Sequence, residues 1–186
     1  MWNANELLVL WLVAQAAVTD LALRKIPNVL VVSGLALALA VQLLAEPAAP
    51  GHACWRWLTG LLAGFFLLLP LYLLRGMAAG DVKLMAMVGA FVGASAAVDV
   101  ALLTYLLGAP LALLTLLWQA WRGGAGWTAV GQLARNLWRL LQPWLGRLVG
   151  LPLAPLPRAA IASVGGMPYG VAIALATAAV VAWPHR

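Results

Sequence analysis

The sequence predicts an all-α, polytopic membrane protein of about six transmembrane helices with a basic amphipathic cytoplasmic segment. Three observations predict it. Of the 186 residues, 65% are hydrophobic and only 9% are charged, where a soluble domain runs near a quarter charged. Several apolar runs reach the roughly 18–20 residues that cross a bilayer. These runs do not alternate apolar with polar. Because only helices and closed barrels satisfy the backbone in lipid, helices are expected rather than a barrel.

The first run covers residues 6–23 and is broken by Arg24, Lys25, Ile26 and Pro27. It contains the small-residue triplet Ala14-Gln15-Ala16, but Asn3 and Glu6 stand where a signal peptide carries basic residues, so a retained helix is expected. The second run, 28–45, follows after a very short turn and forms an antiparallel helical hairpin with the first. Glu46, Pro47, Pro50 and Gly51 make the next turn. The third run is 55–74, followed by a Gly-rich connection over 75–80. The fourth is short, 81–97, the fifth is 98–121 and the sixth 159–183. Gly60 and Gly64 are four apart, as are Gly89 and Gly93. Such pairs let helix backbones approach closely in lipid, or are incidental in an Ala/Gly-rich chain. All 186 residues are read as one domain.

The segment 123–158 is different. Val130, Leu133, Leu137, Leu140, Leu141, Trp144 and Leu148 share one helical face, with Arg135 and Arg139 opposite and Arg147 nearer the boundary. A helix lying on the membrane surface, Arg toward anionic headgroups, accounts for this pattern. A re-entrant segment or a substrate platform is the alternative. Pro143 argues against one straight helix.

The formal net charge of +6 reads as membrane orientation rather than nucleic-acid binding, because the basic residues lie between apolar runs. Arg24, Lys25, Arg75, Lys83, Arg122, Arg135, Arg139, Arg147 and Arg158 sort to one side, nine of the eleven cations. Arg56 and Arg186 sort to the other. The positive-inside rule makes the first side cytoplasmic and both termini periplasmic in a bacterial inner membrane. Glu6, Glu46 and Asp99 fall on the periplasmic side, so Asp20 and Asp81 are the only acids on the cytoplasmic side.

A carboxylate near hydrocarbon is costly and is a functional candidate by default. Two further readings stay open. Asp20 can pair with Arg24 four residues on. Asp81 can cap the fourth helix. Against these, both acids lie on one side at similar depth, and the small residues Gly76, Ala78, Ala79 and Gly80 before Asp81 permit close approach of another backbone. Two adjoining aspartates share a proton, so one serves as general base on a water and the other as acid. Other chemistries lack parts. The two histidines, His52 and His185, fall on the far side. Cys54, the single cysteine, excludes an intrachain disulfide and reads as a small apolar residue. No phosphate-binding Gly-rich motif occurs. No metal and no cofactor is expected.

Three local patterns coincide: Asp20-Leu21-Ala22-Leu23-Arg24-Lys25-Ile26-Pro27-Asn28, then Gly76-Met77-Ala78-Ala79-Gly80-Asp81-Val82-Lys83-Leu84, then Met167-Pro168-Tyr169-Gly170-Val171-Ala172. Together they resemble the type IV prepilin peptidase family, the bacterial branch of the Gly-x-Gly-Asp aspartic peptidases. In length the chain is most similar to the short stand-alone peptidases of tight-adherence (Flp) pilus systems. The resemblance implies that Asp20 and Asp81 are catalytic, and that Lys25, Pro27, Asn28, Gly76, Gly80 and Lys83 support substrate or site. It implies a prepilin or pseudopilin substrate peptide, cut after a glycine between a short basic leader and a hydrophobic helix. Membrane lipid is the other expected partner, nucleic acid is not one, and oligomeric state is left open. Two departures stand out. Ala78 occupies the first Gly of the motif, and the cysteine-rich insertion that accompanies N-methylation is missing, so methyltransferase activity is not expected. The rival readings are a non-catalytic component of pilus assembly or secretion that kept the fold, and a small transporter. The transporter reading lacks an internal repeat.

Overall fold

The apolar runs become helices whose inward stripes are small residues, and this sets how closely they pack. The computed structural model describes residues 2–73, 76–121, 131, 138 and 169–183. Six helices are described: α1 (Ala4–Leu23), α2 (Asn28–Ala45), α3 (Pro50–Leu73), α4 (Ala79–Val92), α5 (Ala94–Trp121) and α6 (Tyr169–Ala182). Among the described residues there is no strand. α1, α2, α3 and the part of α5 over Ala94–Leu111 are long and apolar enough to cross a membrane. The protein is therefore an all-α membrane protein. The amphipathic segment 123–158 and the start of the sixth run lie outside the described residues, apart from residues 131 and 138.

Two boundaries differ from the sequence reading. α3 begins at Pro50 rather than Trp55. Proline at the first helical position lacks only an N–H that would be orphaned there anyway, so Pro50 and Gly51 start the helix instead of forming a turn. α4 ends at Val92 rather than Ala97, because Gly93 takes φ +85° and the next helix begins at Ala94. Only glycine adopts that conformation without strain.

α4 is the centre of the bundle. Leu84, Met85, Met87, Val88, Ala90 and Phe91 are all buried, with α1, α2, α3, α5 and α6 around them. Its most extensive contact is with α3. A methyl group added at Gly60 would strike the Gly89 carbonyl oxygen, one at Gly89 the Gly60 carbonyl oxygen, and one at Gly64 the Met85 carbonyl oxygen. Backbone thus touches backbone, and the Gly60/Gly64 and Gly89/Gly93 pairs form a true crossing. Dispersion between backbones replaces the missing hydrophobic drive in lipid.

With 14 residues, α4 is about 21 Å long, shorter than a hydrocarbon core of about 30 Å. Its C-terminal carbonyls need partners inside the bundle. Two amide side chains supply them: Asn5 Nδ2 of α1 donates to Phe91 O at 2.9 Å, and Gln42 Nε2 of α2 donates to Ala90 O. Hydrogen bonds among membrane-embedded groups average about 0.6 and reach about 1.7 kcal/mol. Gln42→Leu is therefore expected to lower stability by about 1 kcal/mol. Unfolding in detergent measures it, and an unchanged midpoint would show the bond to be idle.

The same end of the bundle gathers Glu6, Glu46 and Arg56 around Asn5 and Gln42. Glu46 Oε2 lies 2.6 Å from His52 Nδ1 and Oε1 lies 3.6 Å from Arg56. The His52 hydrogen bond holds the Glu46 carboxyl below its ordinary range, with Coulomb attraction to His52 and Arg56 adding to it. The opposite end carries Asp20, Arg24, Asn28, Asp81 and Lys83.

Candidate active site

The site is assembled from three helix ends. α1 finishes one turn after Asp20. Arg24 turns left-handed at φ 51°, and its N–H donates to the Asp20 carbonyl at 2.9 Å. Pro27, in extended conformation, then opens α2. This brings Ile26 against the first turn of α4, where a methyl group added at Gly80 would lie 3.3 Å from Ile26 Cβ. Glycine at 80 thus seats the α1–α2 turn on α4, and the segments around Asp20 and Asp81 meet.

Asp81 is 2% exposed. Its Oδ2 accepts the Ala78 N–H at 3.1 Å and its own N–H reaches Ala78 O at 3.2 Å. It therefore does cap α4. It does so within reach of the Asp20 charge, which acts on it. Asp20 is 7% exposed. Its Oδ2 accepts the Gly170 N–H from the first turn of α6 at 2.9 Å, and the Arg24 charge acts on it as well. The first N–H groups of a helix have no partner within it and form a natural carboxylate site. A methyl group added at Gly170 would lie 2.8 Å from that oxygen and 3.1 Å from Asp20 Cγ.

Two buried carboxylates, one of them within reach of the other's charge, each held through one oxygen by a main-chain N–H, can share a proton and activate a water. Tyr169 adds a phenol on which the Asp81 charge acts. Its ring packs where Gly108 leaves room, since a methyl there would meet Tyr169 Cε1 at 2.7 Å. Tyr105 in turn donates to Leu67 O of α3.

The structure separates the remaining expected residues. Gly80 lies at the site. Lys83 and Asn28 bond to each other, Nζ to Oδ1 at 3.1 Å, on another flank of α4. Gly76 closes the turn after α3 through its N–H to Leu71 O at 3.0 Å. Pro27 starts α2, and Lys25 is exposed in the α1–α2 turn. Among the described residues no three His, Cys, Asp or Glu side chains converge as metal ligands. The departure at Ala78 is conformationally harmless. It is exposed and extended, with φ −82° and ψ 154°, a region open to any L-residue.

Sequence reasoning picked out Met167 to Ala172 as a motif but gave Gly170 and Tyr169 no role. The main-chain bond of Gly170 leaves no trace in residue type. Tyr105 and Tyr169 carried a weak signal, as hydroxyls within apolar runs.

A family model described as the type IV leader peptidase family matches residues 7–113. The match runs from α1 into α5. It includes both aspartates and stops before Tyr169 and Gly170. No curated protein and no solved structure matches the chain.

Proposed function

The chain belongs to the type IV leader peptidase family, and on that premise we propose that it is an aspartic-type endopeptidase in which Asp20 and Asp81 activate a water. It removes the N-terminal leader of type IV or Flp-type prepilins or pseudopilins, at the cytoplasmic face of a bacterial inner membrane. The observation that carries the reading is the burial of two carboxylates, from α1 and α4, at one end of the helical bundle, with the charge of Asp20 acting on Asp81.

In this reading one carboxylate, ionised, takes a proton from water as the water oxygen attacks the scissile carbonyl carbon. The other, protonated, gives its proton to the carbonyl oxygen. The tetrahedral diol then collapses, the C–N bond breaks and the amine leaves with a proton from the dyad. The main-chain donors at Gly170 and Ala78 hold one oxygen of each carboxylate and leave the other for water. The topology follows the charge bias of the loops. The single cysteine supports a peptidase without methyltransferase activity.

Co-expression with a prepilin, followed by mass measurement of the pilin, tests the reading. The expected product begins immediately after the leader glycine, and an uncut prepilin would overturn it. The same assay tests Gly170. Gly170→Ala keeps the N–H but drives a methyl into Asp20. It is expected to lower kcat about 10²-fold, the cost of a misplacement near 1 Å, with KM little changed. Wild-type kcat in this variant would remove Gly170 from the positioning role.

A further inference from the structure

On the flank of α4 away from the aspartates, α2 and α3 leave a groove of about 460 Å³. Val31 and Leu35 form its α2 wall, Leu61 and Phe65 its α3 wall, and Ala86 of α4 its floor. Lys83 and Asn28 stand at one end of it. We propose that this groove binds an anionic phospholipid, with an acyl chain along the apolar walls and the headgroup phosphate on Lys83.

Charge complementarity selects the occupant. Lys83 is exposed, and its ammonium donates to the Asn28 amide oxygen. That oxygen is neutral, and among the described residues no carboxylate lies within ion-pair distance of Lys83. A cation at the border of hydrocarbon is stabilised by a counter-charge. A phosphodiester supplies one through a charge-assisted hydrogen bond, and the Asn28 NH₂, which makes no hydrogen bond among the described residues, can donate to a second oxygen. The cation and the apolar trough thus follow the order of a headgroup and its chain.

Shape and position argue against a peptide. A helix is about 10–12 Å across, so one turn fills roughly 400–600 Å³, and the groove would hold about a single turn. At roughly 100° per residue, Lys83 lies about 200° round α4 from Asp81, so the groove and the aspartates lie on different flanks of that helix. The site is therefore distinct from the aspartates. It ties α2 to the helix that carries Asp81.

Reconstitution of the full chain into phosphatidylcholine vesicles, with and without phosphatidylglycerol, followed by native mass spectrometry of the extracted protein, tests the proposal. The expected result is retention of phosphatidylglycerol in preference to phosphatidylcholine. Lys83→Gln should reduce that preference about fivefold, the worth of one lysine near an anionic surface, while Lys83→Arg should keep it. Val32→Trp, placed on the exposed lip of the groove, should abolish retention with Lys83 intact. Undiminished preference in Lys83→Gln would overturn the site, as would full retention in Val32→Trp. A dimeric mass lost only in Val32→Trp would assign the groove to a second copy and overturn it equally.

Discussion

Asp20→Asn and Asp81→Asn should each lower leader cleavage by roughly 10²–10⁴-fold in kcat, the contribution typical of a positioned acid or base. The chain should still accumulate in the membrane with its helices intact. The reason is local. Asparagine is nearly isosteric, and its Oδ1 can accept the same main-chain N–H, from Gly170 at position 20 or from Ala78 at position 81. The held oxygen survives while the proton-accepting charge is lost. Because the two residues are read as one unit, the double variant should be little worse than either single one. Cleavage of a purified prepilin by each variant, alongside its unfolding midpoint, separates chemistry from fold. Near-normal cleavage by either single variant would sink the dyad, and losses that multiply in the double variant would argue for separate roles.

The largest effect on stability is expected at the α3–α4 crossing. Gly60→Leu should destabilise by about 3 kcal/mol or more, the upper end of overpacking costs. The obstacle there is the Gly89 carbonyl oxygen, a backbone atom that no rotamer change can move. Gly89→Leu meets Gly60 in the same way, so the two losses should not add. Gly51→Ala is the internal control. Nothing lies within 4 Å of a methyl added there, and its effect should stay within about 0.5 kcal/mol. Unfolding in detergent measures all four proteins. If Gly60→Leu unfolds like the wild type, the helices can slide apart freely and the crossing is not what holds α4.

How much of this was legible in advance depends on the range of the interaction. α1 and α2 ended close to their expected bounds because charge and proline mark them, Arg24 to Pro27 on one side and Glu46 on the other. The short fourth helix was visible, yet its end at Gly93 was not, because a glycine that packs and a glycine that turns look alike in a row of small residues. Pro50 misled for a similar reason: proline marks both turns and helix starts. Asn5 and Gln42 went unremarked, since an amide in an apolar run acquires meaning only when a foreign helix ends beside it.

By itself the sequence determined that this chain lives in a bilayer as helices, because hydropathy and backbone satisfaction in lipid are properties of each segment alone. It also singled out Asp20 and Asp81, because a carboxylate among apolar residues is conspicuous wherever it stands. Only the tertiary structure decided what surrounds them. The bond from Gly170 to Asp20 joins positions 150 residues apart, the seat of Ile26 on Gly80 joins two separate turns, and the flank bearing Lys83 and Asn28 faces away from the aspartates. Each depends on where backbones lie once six helices pack, and no local periodicity encodes that.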